Sequence, residues 1–142
     1  MGKIVIRNLK RVSTDRYNTL HFNSVHKEII KERITDCYSK TFYESDTDTV
    51  IITNREFFFI LKQTDPNDKT ITEVINYLPF RNISTYNIAR QYDKIEDTKC
   101  LILMVTTNIG DEISLFLPND TSGGLLGSIM YDISHQMKDE RR

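Results

Sequence analysis

The sequence predicts an α+β fold that is mainly β, an antiparallel sheet system framed by one early and one late amphipathic helix. Three observations predict it. Thr49 to Lys62, TVIITNREFFFILK, places two strand-length apolar runs on either side of a short polar link containing Asn54, which reads as a β-hairpin. Lys99 to Thr107, KCLILMVTT, is a second long apolar run, followed by the turn Asn108-Ile109-Gly110-Asp111 and an alternating partner, Glu112 to Leu117. Apolar residues recur with a helical period in two places, from Val25 and from Leu125.

Taken in order, Lys3 to Arg7 alternates and predicts a short strand. Lys10, Arg11 and Arg16 follow against a single acid, Asp15, so the start of the chain is locally basic. Thr19 to Val25 is a weak strand candidate with Leu20 and Phe22 on one face, and Ser24 is a possible helix cap. The stripe Val25, Ile29, Ile30, Ile34, Cys37 and Tyr38 predicts a helix over Val25 to Thr35 that packs on a sheet. Asp36 to Glu44 alternates as a strand, and Glu44 to Asp48 is an acidic turn before the central hairpin. Thr64 to Lys69, with Pro66 and Asn67, is a loop. Strands are expected over Thr70 to Leu78, with Pro79 as a break, and over Ser84 to Ala89. Arg90 to Asp97 is polar and reads as a loop. In the last hairpin Gly110 is free to take positive φ. Asn119, Asp120 or Ser122 is expected to cap a closing helix over Thr121 to Met137, striped by Leu125, Leu126, Ile129, Met130, Ile133 and Met137.

The 142 residues fit one domain, residues 1–142. A net charge of −1 offers no overall field to attract nucleic acid or an anionic membrane. No apolar run has the length of a membrane span, and the N-terminus lacks the apolar core of a secretory signal. A cytoplasmic protein is the expectation. Gly2 lacks the Ser or Thr that a myristoylation signal needs, because Ile6 stands there. Cys37 and Cys100 are expected to be buried thiols rather than a disulfide, and neither has a second cysteine at metal-ligand spacing. Ala89 is the only alanine in a chain rich in Ile, Asn, Thr, Asp and Lys, a bias that suits an AT-rich genome such as that of a low-GC bacterium or its phage.

Three segments carry a family likeness: VIITNREFFFI, YLPFRNISTYNI, and CLILMVTTNIGDEISLFLP followed by a helix. With a helix, about seven antiparallel strands and a C-terminal helix in that order, residues 25–138 resemble the bacterial pleckstrin-homology-like domains. The resemblance implies an antiparallel barrel capped by the last helix, and it implies little about activity. Residues 1–24 are a basic extension beyond the family pattern. Lipid-binding members of the wider superfamily place Lys and Arg in the loop that corresponds here to Glu44-Ser45-Asp46-Thr47-Asp48. Its acidity argues against phosphoinositide headgroups.

No catalytic constellation emerges. His21 and His26 are five apart, which is neither the helical nor the strand spacing of a metal pair. His135 falls near a helix C-terminus, where the dipole favours a cation. Gly123, Gly124 and Gly127 lack the lysine of a phosphate-cradling loop and read as a helix entry. The seven tyrosines form no basic-aromatic ladder. FFFIL and LILMV do not alternate, so both faces of their sheets need cover. From these features we expect a non-enzymatic interaction module, without cofactor or metal, that self-associates and binds a protein partner. Its candidate binding residues are the basic Lys3, Arg7, Lys10 and Arg11, with Phe58 or Ile60 presented to another copy. The alternative is a small anionic ligand or lipid headgroup held by the basic N-terminal residues.

Overall fold

A computed structural model describes residues 2–92, 99–118, 121 and 123–137. Its strands are β1 (Lys3–Ile6), β2 (Lys10–Val12), β3 (Lys40–Glu44), β4 (Thr49–Thr53), β5 (Glu56–Thr64), β6 (Ile71–Pro79), β7 (Ile83–Tyr92), β8 (Lys99–Thr107) and β9 (Glu112–Pro118). Its α-helices are α1 (Ser24–Ile34) and α2 (Gly123–Gln136), and 3-10 turns span Thr14–Thr19 and Phe80–Asn82. One sheet has the order β1-β9-β8-β7 and the other β2-β3-β4-β5-β6. All pairings are antiparallel except β1 on β9. The mainly β, two-helix class is as the sequence predicts. The two sheets do not close into a barrel: among the described residues β6 and β7 each have one hydrogen-bonded neighbour.

The N-terminal residues join the sheets. β1 lies on β9 and β2 on β3, with Asn8 at φ 61° turning the chain between them and Leu9 buried at the corner. Asn tolerates this left-handed conformation better than most residues. At the central hairpin the Asn54-Arg55 turn needs no positive φ. The Thr53 hydroxyl accepts from the amides of Arg55 and Glu56 at 3.1 and 3.0 Å and donates to the Glu56 carbonyl at 3.1 Å. That side-chain clasp replaces the Asn-Gly or Asp-Gly pair such a turn usually requires. The β8–β9 turn instead uses Gly110 at φ 91°.

The helix near the start begins one residue early, and its cap is Asn23, whose Oδ1 accepts from the Val25 amide at 2.8 Å, rather than Ser24. Thr19 to Val25 is not a strand. Leu20 and Phe22 do alternate into the protein, but no strand of the described residues pairs with them. β3 starts at Lys40 rather than Asp36, because Cys37 still bonds back to the Ile34 carbonyl at 3.0 Å. β7 runs three residues past Ala89 to Tyr92, into the stretch read as a loop, while residues 93–98 lie outside the described residues. The candidate caps Asn119, Asp120 and Ser122 also lie outside them.

Two cores explain the apolar runs. Between the sheets lie Val50, Ile52, Phe57, Phe59, Phe80, Leu103, Val105, Leu115 and Leu117, closed at one end by Ile129 and Ile133 of α2. On the outer face of the five-stranded sheet, Phe42, Ile51, Phe58 and Ile60 pack under Leu20, Phe22, Ile30 and Ile34. FFFIL therefore fails to alternate because this sheet is buried on both faces. Each such side chain contributes about 1.5–3 kcal/mol of burial. LILMV is different: Leu101, Leu103 and Val105 face the core, whereas Ile102 and Met104 are half-buried on the outer face. The helix stripe is also corrected. Ile30 and Ile34 face the sheet, but Val25 and Ile29 are 65% and 52% exposed. The reason is rotational: His26 engages Glu73 on β6, and the Lys27 carbonyl accepts from the Tyr17 hydroxyl, so the Ile30–Ile34 line turns inward.

Candidate functional site

The basic residues singled out in the sequence are spread rather than gathered. Lys3 stands opposite Glu112 on β1, and the Arg7 guanidinium lies 4.1 Å over the Phe116 ring on the outer face of the four-stranded sheet. Lys10 and Arg11 stand opposite Glu44 and Tyr43 on β2, in the other sheet. All four are exposed. Phe58 and Ile60 do point away from the inter-sheet core, but they are 0% and 1% exposed. The first 3-10 turn and α1 cover them, so neither presents surface to another copy. The thiols are both free, with Cys37 buried; Cys100 is only half-buried, against the expectation, because it lies on the outer face of β8.

The histidines serve attachment. His26 Nδ1 meets Glu73 at 2.6 Å and His21 Nε2 meets Glu44 at 3.2 Å, each tying the segment before or within α1 to a different strand. His135 lies in the last turn of α2 and stacks on Tyr131 at 4.0 Å. Gly123 and Gly124 open α2. Among the described residues no group of three or more His, Cys, Asp or Glu is placed to hold a metal ion. No helix of the described residues is long and apolar enough to cross a membrane.

Two surface features stand out instead. The first is a cleft of about 520 Å³ lined by Arg33, Arg55, Glu56, Pro79, Arg81 and Gln136. The end of α1, the β4–β5 turn, the second 3-10 turn and the end of α2 meet there. Glu56 is 5% exposed and accepts from Arg33 Nε and Nη2 at 2.9 and 2.8 Å. This fork holds the guanidinium charged, raising Arg33 further above its already high range. Arg33 also lies 4.7 Å over the Tyr77 ring. Arg55 Nη2 reaches the Arg33 carbonyl at 3.3 Å and Cys37 Sγ at 3.2 Å, capping the C-terminus of α1. Gln136 Nε2 donates to the Asn54 carbonyl, while the buried Oδ1 of Asn54 has no hydrogen-bond partner among the described residues.

The second feature is the free edge of β6. Eight large apolar side chains are exposed among the described residues, and five of them lie on this strand or on elements that meet it. Ile71 and Tyr77 belong to it. Ile109, 80% exposed, shares a cleft of about 380 Å³ with Tyr77. Val25 and Ile29 belong to α1, which His26 and Arg33 dock against Glu73 and Tyr77 of the same strand.

Neither feature has a local sign in the sequence. The cleft draws on residues from positions 33 to 136, and only the fold joins them. The one available signal was Glu56, a carboxylate at the head of an apolar strand, which needs a cation when buried. No family model matches the chain, and no curated protein or solved structure matches it either.

Proposed function

We propose that the chain is a non-enzymatic protein-interaction module whose docking surface is the β6 edge, with a second copy of itself as the partner. The observation that carries this reading is a free strand edge with exposed Ile71 and Tyr77 on it and exposed Val25, Ile29 and Ile109 on the elements that meet it. A free edge offers a row of unpaired amides and carbonyls, and the natural complement is another strand. A two-fold copy supplies that strand with the same apolar flanks. Burying two to four of these side chains contributes about 1.5–3 kcal/mol each, which works against the cost of association together with the hydrogen bonds of the added strand.

For the finer fold reading we propose a pleckstrin-homology-like arrangement. Supporting it are β3–β6 in one sheet, β7–β9 in the next, and α2 over one end of the core. The parallel strand β1 and the corner to β2 are additions to that pattern. A protein partner other than a second copy would use the same edge.

The test is mass by light scattering over a concentration series. The wild-type chain is expected to exceed its monomer mass of 16.7 kDa at micromolar concentration. The double substitution Ile29→Glu with Ile71→Lys, at exposed positions, is expected to restore the monomer without loss of stability. A wild-type protein that stays monomeric at high micromolar concentration refutes self-association.

A further inference from the structure

The cleft beside α1 carries a separate inference, independent of the β6 reading. Among the described residues its lining holds three guanidinium groups, Arg33, Arg55 and Arg81, against one carboxylate, Glu56. In a chain of net charge −1, that is a local excess of two positive charges. Asp36 is near enough to act on Arg55, but it is exposed and outside the lining. Glu56 is consumed by Arg33, which spends Nε and one proton of Nη2 on it and keeps Nη1. Arg55 commits Nη2 to the end of α1 and keeps Nη1 and Nε. Among the described residues the Arg81 side chain makes no hydrogen bond or ion pair.

Guanidinium forks match the tetrahedral or planar oxygens of phosphate and carboxylate, and two unmatched cations call for a compact dianion. The cleft is also roomier than a bare phosphate requires and lies within the range of small-ligand sites. We propose that it binds a small phosphorylated molecule, with Arg81 and Arg55 on the phosphoryl oxygens, Arg33 held in place by Glu56, and Pro79 and Gln136 walling the remainder. This site is distinct from the basic N-terminal residues, which are divided between two sheets.

The test is calorimetric titration of the full chain at low salt with inorganic phosphate and with glycerol 3-phosphate. Saturable binding at one site per chain is expected, stronger for the ester. Arg81→Ala and Arg55→Ala are each expected to weaken it about tenfold or more. Lys10→Ala, on β2, is expected to leave it unchanged. Arg81→Lys, which keeps the charge and loses the fork, is expected to weaken it too, and it serves as the reading if an alanine variant does not fold. Flotation with phosphoinositide-bearing vesicles separates a soluble ligand from a lipid headgroup. Absence of saturable binding to either phosphate compound overturns the proposal, and so does an equal loss from Lys10→Ala. Binding to vesicles without a response to glycerol 3-phosphate overturns it in favour of a lipid surface.

Discussion

Replacing Phe58 by alanine tests the two-core architecture directly. Phe58 is fully buried on the outer face of β5, edge-on to Tyr77 with ring centroids 5.2 Å apart. The Arg33 guanidinium lies 5.9 Å from its ring. Truncating a buried Phe costs about 3–5 kcal/mol, and losing an edge-to-face partner belongs to the upper part of that range. We expect about 4 kcal/mol, which lowers the melting temperature by about 8–16 °C in a chain of this size. Phe57→Ala and Phe59→Ala serve as references, because both rings lie in the inter-sheet core, stacked on each other at 5.6 Å. The assay is urea unfolding followed by circular dichroism, with the denaturant slope checked for constancy. If both faces are truly buried, the three variants lose comparable stability. A loss below about 1 kcal/mol for Phe58, with full losses for its neighbours, would mean that α1 does not cover this face.

Three further outcomes are expected. Arg33→Met leaves the Glu56 carboxylate buried without its fork, and a cost of about 3 kcal/mol in chemical denaturation is expected; a neutral result refutes a structural role for the pair. Cys100, half-buried with its thiol donating to Gln91 Oε1 at 3.3 Å, is expected to label with a thiol reagent well before the buried Cys37, and the reverse order contradicts the placement. The Tyr17 phenol is pushed up to about 12, first by burial and then by the charges of Glu28 and Tyr77. Because its folded value exceeds the ordinary 10.0, the stability it lends is complete below that pH and is lost as pH rises towards 12. Alkaline unfolding over that window is expected to lose its steepest part in Tyr17→Phe, and an unchanged profile counts against the half-buried hydroxyl.

Much of the fold was legible because periodicity reports on burial. The central hairpin, the last hairpin and both helices follow from apolar spacing, and the unbroken FFFIL run correctly required cover on both faces. The errors arose where a side chain's surroundings depend on a distant partner. Val25 and Ile29 belong to the apolar stripe by spacing, but His26 on Glu73 rotates them into solvent. Leu20 and Phe22 alternate as a strand would, yet they are buried by a 3-10 turn and a helix rather than by pairing. The cover over Phe58 and Ile60 turned out to be the chain's own first turn and helix, so a periodicity argument alone placed the contact surface wrongly. The arginine cleft was illegible for a different reason. Long polar side chains from separated positions carry no period, and only the fold decides which of them share a space.

The basic N-terminus takes on another meaning once the four sheet edges are compared. β1 and β2 are edges of four and three residues, and they carry Lys3, Lys10 and Arg11. Short edges bearing lysine or arginine resist pairing with other chains, so these charges protect two of the four edges. β7 is longer but carries Arg90 and an irregularity between Ile83 and Thr85. β6 has none of these defences. It pairs with β5 in continuous register over nine residues, holds no lysine or arginine, and places its proline at the end. Its one charge, Glu73, is occupied by His26 and the Asn23 amide. Three edges are shielded by brevity, charge or distortion, and the fourth is left regular and flanked by exposed apolar groups. A chain that left such an edge bare would be prone to uncontrolled aggregation, which is the physical reason to expect that β6 is paired when the protein works.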